Sequence, residues 1–480
     1  MVAGGAGALA GGRSAIERLW AEKGRVVPGF FTGRWMGAAL LAIAGLAACG
    51  GDTPVAQPPR QLTVAPVFGS GMVLQRGMPV PVTGTAEPGA TVTVGFQGRS
   101  VSTVVASGGA WRVDLPSMDA SAAPGTLTIA SAGAAVELTG VRVGEVWVCA
   151  GQSNMDMRLE EAAGGIDEAR KASGYDLRLF RMTDGAGPAA TRWTVSDPTT
   201  APVFSAVCYW FGVELNRRLG VPVGLIQATH DGTAIAEWQT GIGGGGADYL
   251  AMVRPVQPYA IRGVAWYQGE SNDGDPAYEA KLTGMIAEWR AGWGRADLPF
   301  GIVQLTGPGS AGAGEGEAAV SRKVPHTFLV VTSDLPGGDQ LHPAEKKAVG
   351  VRLGIGARGA VYGEPIMPSG PVPDPAASSR AGGKAVLTFA YAGDGLIARN
   401  GGSLAGFELA DSSGVFRPAT AAIVAPNRVE VASAAVAAPV RVRYGYGAVG
   451  TLSSAVSIPV EGGTSAVTQL PASQFDLVLP

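Results

Sequence analysis

The residue best placed to do chemistry is Ser153, in the motif Gly151-Gln-Ser-Asn-Met155. It follows a predicted strand, Glu145–Cys149, and precedes a predicted helical segment. A serine at such a turn exposes its hydroxyl near helix N-terminal amides, which favour developing negative charge. Ser153 is therefore a candidate nucleophile; the alternative is that Ser153 or Asn154 only caps the helix. Because the second glycine of Gly-x-Ser-x-Gly is missing, the motif does not indicate an ordinary α/β-hydrolase.

A candidate base lies in the segment Asp339-Gln-Leu-His342-Pro343. An aspartate three residues before a histidine can orient the imidazole and leave its other nitrogen free to accept a proton from serine. Pro343 suits the first turn of a helix predicted over Ala344–Ile355 and biases His342 away from helical geometry. The segment predicts His342 as base and Asp339 as its orienting acid. The alternative is a structural turn at a helix start.

Two further segments follow predicted strands and offer hydrogen-bond donors. Gln268 and Asn272 are amides in Gly263-Val-Ala-Trp-Tyr-Gln-Gly-Glu-Ser-Asn272, the kind of group that can stabilise an oxyanion. Glu270, between them, either orients its neighbours or is solvated. Gly232, in the turn after another strand, offers a backbone amide, although an ordinary glycine turn is the preferred explanation of this motif taken alone.

Alternating strands and helices are predicted across residues 141–363, which we interpret as the catalytic domain. The strands are apolar almost throughout, and this pattern indicates a parallel sheet covered on both faces. In such sheets ligands bind at the carboxyl ends of strands, where the motifs lie. The predicted strands are Glu145–Cys149, Leu177–Met182, Val223–Ala228, Gly263–Tyr267, Phe300–Leu305 and Thr327–Thr332, and the helices are 155–172, 203–219, 276–293 and 344–357.

The flanking regions have the character of β domains. Residues 62–140 contain short alternating runs separated by Gly, Pro, Asp and Ser, which is typical of a small antiparallel sandwich. Residues 364–379 are predicted to be a linker, and residues 380–480 a C-terminal β domain. Inside the catalytic domain, Gly307–Glu315 is rich in small residues and is predicted to be a loop.

The first 48 residues have the features of a leader. An apolar run from Met36 to Ala48 has the length of a signal-peptide core, and Cys49 follows it. Leu46-Ala-Ala-Cys49 resembles a bacterial lipobox, in which the cysteine is lipidated. Residues 49–61 are predicted to be a tether. We expect an exported lipoprotein, periplasmic or at the cell surface, anchored to the outer membrane. Ordinary secretory cleavage nearby is the alternative.

Composition argues against several other classes of function. The formal net charge is −3 without a basic cluster, so nucleic acid is a poor partner. His and Cys residues without ligand-like spacing argue against a zinc site, and no cofactor is expected. Cys208 lies on an apolar helical face and Cys149 ends a strand. Export permits a disulfide between them, but the apolar pattern favours two buried thiols.

Together these motifs resemble the SGNH/GDSL hydrolase superfamily, and more narrowly the bacterial sialate O-acetylesterase-like carbohydrate esterases. The resemblance lies in Gly144 to Met155, in Gly263 to Asn272, and in Asp334 with Asp339 to Leu353. It implies a flavodoxin-like three-layer α/β/α SGNH hydrolase domain flanked by N-terminal and C-terminal β-sandwich-like domains, without a metal. It also implies Ser153 as nucleophile, His342 as base and Asp339 as acid. The implied oxyanion hole is formed by Ser153, Gly232 and Gln268, supported by Glu270 and Asn272.

This chain departs from the family at two places. Asp231 stands where the family usually has glycine, so an acidic side chain is expected beside the oxyanion hole. The short Gly-rich turn Gly241–Gly246 replaces a longer segment of the family.

The resemblance implies a serine esterase that removes O-acetyl groups from carbohydrate through an acetyl-serine intermediate. Its substrate would be an acetylated sugar, either O-acetylated sialic acid or acetylated hemicellulose. The alternatives are a non-catalytic glycan-binding surface lipoprotein and a lipase or thioesterase on the same fold. The oligomeric state is left open.

Overall fold

The computed structural model describes residues 61–182, 192–241, 245–257, 259–306, 311–337, 340–446, 449–459 and 465–480. The predicted leader, Cys49 and the tether before residue 61 lie outside the described residues, as does Asp339. Within the described part of the chain, no helix is both long and apolar enough to cross a bilayer.

The N-terminal region forms two antiparallel groups of strands. β1, β3 and β6 form one sheet, and β4, β5 and β7 extend the other from the first half of β8. In β6 buried and exposed residues alternate, as expected of a sheet with one solvated face. The strands are β1 Thr63–Val64, β2 Val73–Gln75, β3 Val80–Thr85, β4 Thr91–Phe96, β5 Arg99–Val104, β6 Ala110–Leu115, β7 Ser121–Ser131 and β8 Ala134–Gly151.

Strand β8 joins this region to the central sheet without a break. Its first residues alternate between exposed and buried positions, whereas every residue from Val143 to Gly151 is buried. The change marks the point where a strand solvated on one face becomes a strand covered on both faces. The boundary predicted near residue 140 therefore lies inside one strand, so movement of β8 in either region must affect the other.

The central sheet carries parallel strands in the order β9-β11-β8-β12-β13-β14, with β10 antiparallel at the edge. Five of them, β11-β8-β12-β13-β14, follow the 2-1-3-4-5 order of flavodoxin-like sheets. The strands are β9 Leu177–Met182, β10 Thr194–Val195, β11 Val223–Thr229, β12 Gly263–Tyr267, β13 Phe300–Gln304 and β14 Thr327–Val331.

Two helix pairs pack against the sheet. α3 packs against α6, and α4 packs against α5. The segment 155–172, predicted as one helix, is instead broken into short pieces, because Gly164 adopts a left-handed conformation ahead of α2. The helices are α1 Ser153–Asp156, α2 Gly165–Ala169, α3 Ala206–Leu219, α4 Tyr278–Trp293, α5 Ala311–Lys323 and α6 Lys347–Ala360.

Helix α5 corrects the prediction of a loop over Gly307–Glu315, since the helix begins at Ala311. Its glycines lowered the predicted helix propensity. Packing explains one of them, because a Cβ atom at Gly314 would collide with the Leu305 carbonyl.

The C-terminal region consists of three small sheets with their own apolar core. The predicted linker, 364–379, overlaps strand β15, because residues 372–374 and Ser379 pair with β16 on either side of a bulge. The strands are β15 Val372–Ala381, β16 Lys384–Ala390, β17 Leu396–Ala398, β18 Phe407–Ala410, β19 Arg417–Pro418, β20 Thr420–Ala425, β21 Arg428–Ala432, β22 Arg441–Tyr444, β23 Leu452–Pro459, β24 Ser465–Pro471 and β25 Phe475–Val478.

A disulfide joins Cys149 to Cys208, so the prediction of two buried thiols is wrong. Both residues are fully buried, as predicted from the apolar pattern. That pattern did not show that the end of β8 and the first turn of α3 bring the two Cα atoms within 5.9 Å of each other.

A buried carboxylate on β8 ties the N-terminal region to the catalytic region. Glu145 is fully buried and accepts hydrogen bonds from Gln75, Arg76 and Arg262. Burial raises the pKa of the Glu145 carboxyl, but the hydrogen bonds and charge of Arg262, with the bonds from Arg76 and Gln75, outweigh burial and leave the pKa below its usual value. Glu145 therefore stabilises the fold as a carboxylate.

We predict that Glu145→Gln lowers the free energy of unfolding at pH 7 by about 3 kcal/mol, because two guanidinium groups lose their counter-charge. A carboxyl whose folded pKa is lowered stabilises the protein above its unfolded pKa and ceases to do so as the pH falls through the folded pKa. The deficit of the variant should therefore shrink in acid. Urea unfolding at pH 7 and pH 4 measures this, with Glu137→Gln, at an exposed position on β8, as control. A deficit equal to that of the control would contradict the prediction.

Candidate active site

Ser153 lies where β8 turns into α1. Gln152, directly before it, is extended, with φ −106° and ψ −153°, and its amide donates to the Tyr267 carbonyl at 3.1 Å. Gly151 has φ +142°, and a Cβ atom there would collide with the same carbonyl. The close pairing of β8 with β12 therefore requires glycine at position 151 and fixes where the serine begins its helix.

His342 lies against Ser153 at the carboxyl edge of the central sheet. Its Nε2 atom lies 2.7 Å from the Ser153 Oγ atom, although the two residues are 189 positions apart. His342 is exposed and Ser153 partly exposed, so a ligand can reach both. His342 lies in the loop before α6, which begins at Lys347, three residues later than predicted. The structure thus brings the predicted nucleophile and base into hydrogen-bond contact.

Asn154 joins the serine turn to the histidine loop. This residue is 2% exposed. Its Nδ2 donates to Glu270 Oε1 at 2.5 Å and to the Leu341 carbonyl at 2.9 Å, while its Oδ1 accepts from Lys346 Nζ at 2.5 Å. Because Leu341 directly precedes His342, the carboxamide of Asn154 holds the histidine backbone against the turn that carries the nucleophile. Sequence reasoning read Asn154 only as a helix cap.

Glu270 and Lys346 are opposite charges on either side of Asn154. Burial lowers the pKa of Lys346 to about 8, against the opposing effect of the Glu270 charge. Burial raises the pKa of Glu270, while the Asn154 hydrogen bond and the charges of Lys346 and His342 lower it. Glu270 is half-buried and hydrogen-bonded to Asn154. No sequence motif indicated Lys346.

Gln268 is placed differently from the expectation that its side chain faces an oxyanion. The residue is fully buried, and its Nε2 lies within 3.1 Å of three acceptors. These acceptors are Gln152 Oε1, the Thr233 carbonyl and Asn272 Oδ1. Since an amide has two N–H groups, its donors are already used, and no substrate atom can touch it without rearrangement. Gln268 therefore joins Gln152 to the loops that follow β11 and β12.

Asn272 is also a structural support. Its Oδ1 accepts from the Ile235 amide at 2.8 Å and from Gln268 at 2.9 Å, and it is 8% exposed. It connects the loop after β12 to the loop after β11.

Gln152, directly before Ser153 in the chain, is a second carboxamide at this place, and sequence reasoning gave it no role. Its Oε1 accepts from Gln268 Nε2 at 3.1 Å and from the Ser271 amide at 3.4 Å. Because the Ser271 N–H can only donate, the orientation of the Gln152 carboxamide is fixed. Its Nε2 donates to no acceptor among the described residues, and Gln152 keeps 3% exposure where Gln268 keeps none.

Gly232 lies in the exposed turn after β11, with φ +71°. Its carbonyl accepts from Ser271 Oγ at 3.0 Å, and the preceding His230 amide donates to the Gly151 carbonyl at 3.1 Å. These bonds attach the turn to the segments that carry Ser153 and Gln268. Asp231 is exposed in the same turn. Among the described residues, no group of three or more His, Cys, Asp or Glu side chains could hold a metal.

Trp266 and Tyr267 belong to the core. They are 0% and 4% exposed, so neither offers a ring face to a sugar. Asp334, one of the residues that carried the family resemblance, forms a bidentate ion pair with Arg352 at 2.6 and 2.7 Å. It thereby fixes the end of β14 to α6 below the histidine loop.

Comparison with known proteins identifies the family. Residues 143–355 match the family described as carbohydrate esterase, sialic acid-specific acetylesterase. The crystal structure of a carbohydrate acetylesterase from Xanthomonas citri is similar to 88% of this chain and 99% of its own, with 34% identity and a TM-score of 0.76. The chain belongs to this family of carbohydrate esterases.

Curated relatives agree with this assignment. The sialate O-acetylesterase of Pongo abelii is 29% identical over 382 residues, 65% of this chain and 73% of the relative. The sialate O-acetylesterase of Homo sapiens is 28% identical over 384 residues, with the same coverage. Members of this carbohydrate esterase family are carboxylic ester hydrolases, and so is this protein.

We predict that Asn154→Ala lowers kcat about 10- to 100-fold with little change in KM, because His342 loses its alignment with Ser153 while the binding surface remains. Steady-state kinetics on a simple aryl acetate measures the effect, with near-UV circular dichroism to verify the fold. Asn216→Ala is the matched control, since Asn216 donates to the Val221 carbonyl at the far end of α3. An unchanged kcat in Asn154→Ala would contradict the positioning role.

Proposed function

We propose that this esterase removes O-acetyl groups from carbohydrate through an acetyl-Ser153 intermediate. The observation that carries the proposal is the 2.7 Å contact between Ser153 Oγ and His342 Nε2 at an accessible edge of the sheet. The membership of a carbohydrate acetylesterase family supports the acetyl group and the sugar. Because nucleophile and base are both present and in contact, a non-catalytic glycan-binding role is not favoured.

The proposed reaction has two stages. Ser153 Oγ attacks the acetyl carbonyl carbon as His342 takes its proton, and the tetrahedral intermediate collapses when the protonated His342 gives that proton to the departing sugar oxygen. His342 then takes a proton from a water molecule, which attacks acetyl-Ser153; the bond to Oγ breaks, His342 returns the proton to Ser153 Oγ, and acetate leaves. Asp339 is proposed as the acid that orients His342.

The oxyanion would be stabilised by the amides of Ser153 and Gly232 and by Gln152 Nε2. The amides are the donors that the sequence motifs predicted. Gln152 takes the role first assigned to Gln268, because its Nε2 donates to no acceptor among the described residues and Gln152 directly precedes the nucleophile in the chain. Gln268 and Asn272 would hold Gln152 and Gly232 in place. Asp231 would point away, since a carboxylate facing the oxyanion would oppose its charge.

The overall architecture is proposed to be the SGNH arrangement, with the two helix pairs covering opposite faces of the sheet. We also propose that the protein is exported and anchored to the outer membrane by lipid on Cys49, on the basis of the lipobox-like sequence. Fatty-acid labelling of the protein in its cell, lost in Cys49→Ser, is the expected result. Labelling that persists in that variant would contradict the anchor site.

We predict that Ser153→Ala abolishes acetate release from O-acetylated sialic acid, acetylated xylan and a simple aryl acetate. The residual rate should be at least about 10⁴-fold below wild type, as for loss of a nucleophile. Ser102→Ala, on β5 of the N-terminal region, is the matched control and should keep full activity. Hydrolysis that survives in well-folded Ser153→Ala would contradict the proposed mechanism. The wild-type preference between O-acetylated sialic acid and acetylated xylan would identify the sugar.

Gln152 and Gln268 can be ranked against each other as oxyanion donors. We predict that Gln152→Met lowers kcat about 100-fold or more, since one oxyanion donor contributes about 10²–10³ in rate. Gln268→Met should lower kcat less and thermal stability more, because it leaves buried groups without partners. Steady-state kinetics and thermal unfolding of both variants test this, and a larger kcat loss in Gln268→Met would restore Gln268 as the donor.

A further inference from the structure

Lys346 is a buried cation beside the junction that Asn154 forms. The residue is 1% exposed and stands at the N-cap of α6. A lysine is unfavourable there, because N-caps prefer Ser, Thr, Asp or Asn and the positive end of the helix dipole repels a cation. Its side chain makes no capping hydrogen bond and instead reaches Asn154. This placement indicates that the ammonium group serves the site rather than the helix.

The ammonium group determines which end of the Asn154 carboxamide faces which neighbour. Lys346 Nζ donates to Asn154 Oδ1 at 2.5 Å, while Asn154 Nδ2 donates to Glu270 Oε1 and to the Leu341 carbonyl. An ammonium group can only donate, whereas a carboxylate and a carbonyl can only accept. A flipped carboxamide would place Oδ1 against two acceptors and Nδ2 against the ammonium group. A single orientation therefore satisfies all three neighbours, and it is the one that joins the histidine loop to the serine turn.

The titratable groups around Lys346 come from the loop after β12, the end of β12, α5 and the histidine loop. Glu270 supplies the negative charge that favours the ammonium form. The centroid of the Tyr267 ring lies 5.5 Å from Nζ, and an aromatic face attracts a cation. Glu317 on α5 acts on Glu270 and Tyr267, but burial raises the pKa of Glu317 and favours its uncharged form. The charges of Lys346 and His342 both lower the pKa of Glu270, so Lys346 helps to keep that carboxyl ionised.

We propose that Lys346 is a positioning residue of this esterase, whose ammonium group holds the Asn154 carboxamide in the orientation that aligns His342 with Ser153. A neutral amine would hold it less well, because its lone pair lets either end of the carboxamide face it. It would also lose the charge-assisted bond, which is about twice as strong as a bond between neutral groups. Lys346 thus acts through Asn154 and not on the substrate. The inference rests on the proposed function, since it concerns the rate of the reaction at Ser153.

A fall of kcat in alkaline solution follows from this role. Burial lowers the pKa of Lys346 to about 8, against the opposing effect of the Glu270 charge. Below that pH the ammonium form holds Asn154, and above it the neutral amine predominates. Because the pH dependence of kcat reports groups of the enzyme–substrate complex, kcat should fall several-fold as the pH rises from 7 to 9.5.

The test is steady-state kinetics on a simple aryl acetate from pH 6 to 9.5, corrected for spontaneous hydrolysis, with near-UV circular dichroism to verify the fold. Lys346→Met should lower kcat at pH 7 about tenfold and abolish the alkaline fall, since the charged donor is gone. Lys346→Arg keeps a charge whose pKa exceeds about 12, so it should retain its activity at pH 9.5. Lys347→Met, at the exposed neighbouring position, is the matched control and should keep both the wild-type rate and the alkaline fall. Lys346→Met tests the role even if the larger guanidinium group of Lys346→Arg does not fit.

A double variant separates positioning from a purely structural role. Because Lys346 acts through Asn154, Asn154→Ala combined with Lys346→Met should be about as fast as Asn154→Ala alone. Losses that multiply in the double variant, or an alkaline fall that persists in Lys346→Met, would overturn the positioning role and leave the proposed function standing. Absence of any hydrolysis by the wild-type protein would contradict the proposed function itself, and the positioning role with it.

Discussion

The carboxamide of Asn154 connects two distant segments of the chain, through three partners, to the turn that carries Ser153. It donates to Glu270 after β12 and to the Leu341 carbonyl before His342, and it accepts from Lys346 ahead of α6. Since a carboxamide offers both donors and an acceptor, one buried residue satisfies a carboxylate, a carbonyl and an ammonium group. The alignment of nucleophile and base depends on this junction, because Ser153 begins a one-turn helix and His342 lies in a loop, and the sheet alone would not hold the two together.

The central sheet positions the segments that Asn154 joins. β8 passes from a one-sided antiparallel strand into the doubly covered parallel sheet, and it ends at the Gly151 turn. Glu145 ties its middle to Arg76 and Arg262, and the Cys149–Cys208 disulfide ties its end to α3. The N-terminal region therefore braces the strand that delivers the nucleophile, which gives it a structural role irrespective of any glycan binding.

Sequence patterns predicted the strands and helices more accurately than the contacts between side chains. Strand Gly263–Tyr267 has the predicted bounds, because a fully buried parallel strand gives a continuous apolar run. Strand Leu177–Met182 also has the predicted bounds, although Arg178 and Arg181 interrupt its apolar run. Helix α5 was missed because its glycines serve packing, and the disulfide because apolar periodicity cannot distinguish a thiol from a bridged sulfur. Ser153 and His342 were predicted from their motifs. The proposed exchange of Gln268 for Gln152 rests on contacts that no sequence pattern gives, since Gln268 Nε2 donates to the Thr233 carbonyl and Gln152 Oε1 accepts from the Ser271 amide.

The site combines an exposed Ser153–His342 pair with buried supports, in a chain that belongs to a carbohydrate esterase family. The most direct test of the central claim is mass spectrometry of the enzyme quenched in acid during turnover of a simple aryl acetate. The account predicts an acetyl group on the peptide that contains Ser153, absent when His342→Ala replaces the wild type. Rapid turnover with no acetylated peptide, or with the acetyl group on another residue, would contradict it.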